Sequence, residues 1–108
     1  MALPHAQALD IIDVRPLGSG LEDAVTTSLI KTPALQLMRV VLRAGQGLPE
    51  HSVAGAITLQ CIEGEAVLTT ASRSCHLSAG RLVVLDGGEP HAVRAVIDAT
   101  LLVTVVLK

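Results

Sequence analysis

Apolar residues in this chain recur at every second position over short runs, and glycine, proline and small polar residues interrupt the runs. A period of two belongs to a strand with one buried face, because successive side chains on an extended backbone point to opposite sides. Residues 25–31, rich in Val, Thr and Ile, read as a first strand ended by Thr32 and Pro33. Residues 34–43 read as a longer one, with Met38, Val40 and Leu42 on one face and Arg39, Val41 and Arg43 on the other. Residues 44–49, with Gly45, Gly47 and Pro49, break the alternation and predict a turn. Residues 57–62 and 66–70 predict a hairpin around Glu63, Gly64 and Glu65, where glycine can take a positive φ. Short strands follow at 75–77 and 82–85, then the strongest loop signal of the chain at 86–90. Two apolar strands, 91–97 and 100–107, close the sequence around Asp98 and Ala99. No window of ten or more residues carries a helical period. About eight antiparallel strands joined by turns predict an all-β sandwich or jelly-roll barrel.

Composition narrows what such a barrel does. The 108 residues make one domain, divided by pattern into an N-terminal arm (1–24) and a barrel (25–108). The arm, punctuated by Pro16, Gly18 and Gly20, is expected to add a strand to a sheet edge, its own or a partner's. Half of the residues are hydrophobic and 17% charged, which argues against disorder. There is no Phe, Tyr or Trp, so there is no stacking platform for single-stranded nucleic acid or for a sugar ring. A net charge of −2 without a Lys/Arg cluster gives no footprint for a phosphate backbone. The opening residues lack a basic start and a long apolar run, and residues 92–107 are broken by Arg94 and Asp98 and fall short of a membrane span. The expectation is a cytoplasmic protein with no nucleic-acid or membrane partner. Cys61 and Cys75, outside any CxxC spacing, are expected to be buried thiols.

The candidate chemistry lies between Gly45 and His91. His51 and His91 stand at the ends of apolar alternating segments, and consecutive antiparallel strands between them would bring both imidazoles to one cavity. No rival site emerges. Ser19 lacks the strand-turn-helix setting of a nucleophile elbow, Gly87 and Gly88 are too short a run to cradle phosphate, and the carboxylates are scattered.

These spacings resemble a small single-domain cupin. That family's first motif is Gly, five residues, His-x-His, three or four residues, Glu, six residues, Gly. Gly45, His51 and Gly64 match it, while Val53 stands at the second His and Ile57 at the Glu. The second motif is Gly, five residues, Pro-x-Gly, two residues, His, three residues, Asn. Gly80, Gly88 and His91 match, with Asp86 at the Pro and Ala95 at the Asn. The resemblance spans about residues 34–107. It implies the double-stranded β-helix (cupin jelly-roll) barrel, with a pocket formed by His51, Val53, Ile57 and His91.

The family's metal site joins three imidazoles and one carboxylate, and here two of those four positions are aliphatic. No cofactor is therefore expected to be firmly held, because two imidazoles leave most of a coordination sphere to solvent. Glu50 and Glu89 are an odd number of residues from their neighbouring histidines and would face away on regular strands. Cys61 shares the strand parity of Ile57 but lies deeper, at the cavity floor. The leading expectation is a small-molecule-binding barrel with a degenerate two-histidine pocket. The alternative is a dioxygenase- or isomerase-like enzyme whose divalent metal (Zn, Ni, Fe or Mn) is held by His51 and His91. A third reading is a regulatory ligand-binding domain served by a DNA-binding partner chain. The resemblance and the apolar last strand together imply a homodimer.

Overall fold

The computed structural model describes residues 5–107, so Met1–Pro4 of the expected arm and Lys108 lie outside it. Seven strands form the domain: β1 (Thr27–Lys31), β2 (Leu35–Leu42), β3 (Gly47–His51), β4 (Ile57–Thr69), β5 (Ser74–Ser78), β6 (Leu82–Leu85) and β7 (His91–Val106). Every strand pairing is antiparallel. The two long strands β4 and β7 run side by side and each serves two sheets. Their outer halves, Ile57–Cys61 and Leu101–Val105, sit between β6 and β2, with β1 beyond β2. Their other halves sit between β5 and β3. This is the expected jelly-roll arrangement, with the core between the sheets.

Three sequence expectations are corrected. Residues 57–70 are not a hairpin: β4 runs straight through Gly64, and the β4–β7 register slips three times between Cys61 and Ala66. The buried set on β4 changes parity across that stretch, from Ile57, Leu59 and Cys61 to Ala66 and Leu68. A bulge does this by inserting a residue without reversing the chain, and Gly64 supplies its φ of +81°. Likewise, β7 is continuous through Asp98 and Ala99. Residues 44–49 are not all turn, because β3 begins at Gly47. It pairs with β7 alone, so Pro49, which has no N–H, is tolerated on this edge strand. Gly47 is required there, since a Cβ would collide with the carbonyl of Val93.

The hydrophobic core is aliphatic apart from Cys61, and His91 and Thr100 are the polar residues buried against it among the described residues. Val40, Leu42, Ile57, Leu59, Leu68, Leu77, Leu85, Val93, Leu101 and Val103 fill it, with alanines where strands approach. Burial pushes the Cys61 thiol up, and its S–H donates to the carbonyl of Glu63 at 3.3 Å. Cys75 is only half-buried, and both cysteines are free.

The arm touches β1 by one parallel bridge, Ala6 to Ile30, then crosses the outer face of the sheet to a 3₁₀ turn at Gly18–Asp23. It is latched there by one carboxylate. Glu63 accepts from the amides of Leu17 (2.6 Å) and Gly18 (3.0 Å) and from the Thr100 hydroxyl (2.9 Å). Burial disfavours its charge, yet these three donors and the field of Arg39 outweigh that and hold the carboxyl below its ordinary 4.5. A depressed carboxyl stabilises the fold above its unfolded value, and the contribution is lost as pH falls through the folded value. Glu63→Gln is expected to cost about 1.5–3 kcal/mol at neutral pH, the usual worth of hydrogen bonds to a charged group. Urea melts of both proteins between pH 7 and pH 3 would check it: the gap should narrow in acid, and a constant gap would contradict the latch.

Candidate functional site

The pocket is built by cross-strand pairing. His51, the last residue of β3, lies directly opposite His91, the first residue of β7. Their ring centroids are 4.5 Å apart with planes tilted by 53°. Each Nδ1 lies 3.0 Å from a backbone carbonyl two residues earlier, Pro49 for His51 and Glu89 for His91. A carbonyl oxygen only accepts, so each Nδ1 carries the proton and donates. In the neutral ring this leaves Nε2 as the nitrogen with the lone pair, and no described residue bonds it. His91 is buried (3% exposed), whereas His51 sits at the rim.

A cavity of about 100 Å³ opens beside the rings. Its lining includes all four residues expected there, His51, Val53, Ile57 and His91. Met38 and Val40 of β2, Leu59 of β4, and Val93, Val103 and Val105 of β7 complete the walls, together with Leu48 of β3. Met38 and Val40 were accessible from strand parity, since they share one face of β2, but Val103 and Val105 were not, because the end of β7 is apolar on both parities. Leu48 was not, because its segment reads as a turn. Glu50 and Glu89 do not line the cavity, and Cys61 lies in the core below it.

The donor set does not suit a firmly held metal. Among the described residues no group of three His, Cys, Asp or Glu side chains converges on one point. Val53 and Ile57 put methyl groups into the cavity where the motif would place an imidazole and a carboxylate. Two imidazoles fall short of the three protein ligands of a catalytic zinc site.

A cupin-domain family model matches residues 38–107, more than half of the chain. The chain belongs to the cupin family. Solved structures agree on the fold. A conserved protein of unknown function from Streptococcus pyogenes is 22% identical with a TM-score of 0.76, covering 100% of this chain and 96% of its own. A cupin superfamily protein from Desulfitobacterium hafniense is 16% identical with a TM-score of 0.79, covering 95% and 100%. Salicylate 1,2-dioxygenase from Pseudoaminobacter salicylatoxidans is 20% identical with a TM-score of 0.65; the match spans 73% of this cupin and 21% of that enzyme. At these identities the likeness concerns the fold. No protein of curated function matches the chain.

Proposed function

We propose that this cupin binds a small molecule in the aliphatic cup beside His51 and His91, without a firmly held metal. One observation carries the reading: both Nδ1–H groups are spent on backbone carbonyls, so both rings keep Nε2 for a ligand. In the neutral state these are two acceptors for a ligand hydroxyl, amine or water, and protonation of either ring converts its Nε2 to a donor. The remaining wall is aliphatic and favours an apolar body behind the polar group. A cavity of about 100 Å³ is smaller than the roughly 150 Å³ that accommodates benzene, so the ligand has a compact body of only a few non-hydrogen atoms. Its role is ligand sensing, sequestration or an accessory function.

The test is a thermal-shift series of small alcohols, amines and carboxylic acids against the wild type, His51→Ala and His91→Ala. Stabilisation by a member of the series that disappears in both variants is expected. Responses unchanged in both would place binding elsewhere.

The same observation favours a second reading. A ligating histidine normally donates its other N–H to a carbonyl or carboxylate, which fixes the ring and raises the basicity of the ligating nitrogen. The dioxygenase among the similar folds belongs with this alternative. It needs a third ligand from outside the described residues, or from the substrate.

We also propose that the protein is a homodimer. The outward face of β6, which pairs with β4 alone, leaves Leu82 and Val84 more than half exposed at the edge of the sheet. Sedimentation analysis checks this, with Leu82→Glu/Val84→Glu expected to shift the protein to monomer.

A further inference from the structure

A second polar feature lies on the opposite side of β2 from the histidine pocket. Arg39 sits mid-strand on the outward face, opposite Leu102 of β7 and Thr27 of β1, and is half-buried. It makes no hydrogen bond or ion pair to any described residue, and its Nε–H is shut off from solvent without an acceptor. A half-buried guanidinium normally finds a carboxylate, because its five donors have lost part of their water. Asp13 and Glu63 are near enough to feel its charge. Both are committed elsewhere. Asp13 holds Arg15 through paired bonds of 3.0 and 2.7 Å, and Glu63 holds the Leu17 and Gly18 amides and Thr100.

The arm does not cover Arg39 either. Asp13, Arg15, Pro16 and Leu17 form the other wall of an open cavity of about 510 Å³ whose floor includes Arg39. The lining therefore carries two guanidinium groups against one carboxylate, and one of the two guanidinium groups is unpaired.

We propose that this groove between the arm and β2 is an anion-binding site, in which the terminal nitrogens of Arg39 take the oxygens of a carboxylate or phosphate group. Arginine binds such groups by two parallel N–H···O bonds, a geometry that lysine cannot reproduce. The Pro16–Leu17 segment shapes the wall, and the Glu63 latch fixes that segment in place. Arg15 is a reserve cation, held off the anion by Asp13. The site is separate from the histidine cup and stands or falls independently of it.

The experiment follows the side-chain Nε–H of Arg39 and the backbone amide of Leu17 by NMR while inorganic phosphate or acetate is added at constant ionic strength. Saturable shifts at both positions with at least one probe are expected, and the responding probe identifies phosphate or carboxylate as the preferred group. Arg39→Gln should abolish saturation at Leu17. Arg39→Lys should weaken it about tenfold, because the charge remains and the fork is lost. Asp13→Asn should tighten binding several-fold by freeing Arg15. Shifts that stay linear with both probes, or that persist unchanged in Arg39→Gln, overturn the proposal. So does a wild-type dimer that Arg39→Gln converts to monomer while neither probe saturates, which would assign Arg39 to a carboxylate on a second copy.

Discussion

Gly64→Ala is expected to destabilise the domain by about 3–5 kcal/mol, a large share of the roughly 5–15 kcal/mol that holds a domain of this size. Two costs combine. The residue sits at φ +81°, where an L side chain is strained, and its Cβ would lie 2.8 Å from the Cα of Ala99 and closer still to the carbonyl of Asp98. Those atoms belong to the backbone of β7, so no side-chain rotation relieves the contact. Gly80→Ala is the control: its φ is +89° but nothing lies within 4 Å of a built Cβ. That variant should lose only about 1–2 kcal/mol, the cost of the left-handed conformation alone. Equal losses in urea denaturation of the two variants would contradict the close approach of the β4 bulge to the backbone of β7.

The second large effect is a gain. Val53→His combined with Ile57→Glu supplies the imidazole and the carboxylate that the cavity lacks, on positions that already line it with His51 and His91. Without metal the variant should be destabilised, because Ile57 is 3% exposed and a carboxylate there loses its water within a mostly aliphatic cavity. Zinc at a thousandfold excess over its Kd should restore about 4 kcal/mol. For a small domain that raises Tm by roughly 15–30 °C. The wild type should shift by a few degrees at most, and the triple variant with His91→Ala should lose the response. If zinc fails to stabilise the double variant, positions 53 and 57 do not converge on the histidines.

The two predictions divide along what the sequence made legible. Strand faces were readable wherever alternation was clean: Met38, Val40 and Leu42 face inward with Ile57, Leu59 and Cys61, and Arg39 faces outward. The pairing of His51 with His91 followed from the strand pattern and the glycine punctuation between them, whereas Val53 and Ile57 were reached only through the resemblance to the cupin motif. Connectivity was less legible. Gly64 between two glutamates has the local signature of a hairpin, and only the long-range pairing of β4 with β7 makes it a bulge. β3 was hidden because Gly47 and Pro49 have low strand propensity; its place is fixed by β7, not by its own residues. The Glu63 latch was hidden for the same reason, since its donors Leu17 and Thr100 are 46 and 37 residues away. The orphaned Arg39 was visible as an outward arginine, but its lack of a partner depends on where Asp13 and Glu63 spend their charges.

The most direct test of the metal-free cup is the metal content of protein purified without a histidine tag, followed by titration with Fe(II), Mn(II), Ni(II) and Zn(II). The expected result is far less than one metal per chain and no tight, saturable uptake of any of the four ions. Near-stoichiometric metal that disappears in both His51→Ala and His91→Ala would contradict the account and make the two imidazoles the protein ligands of a working metal centre.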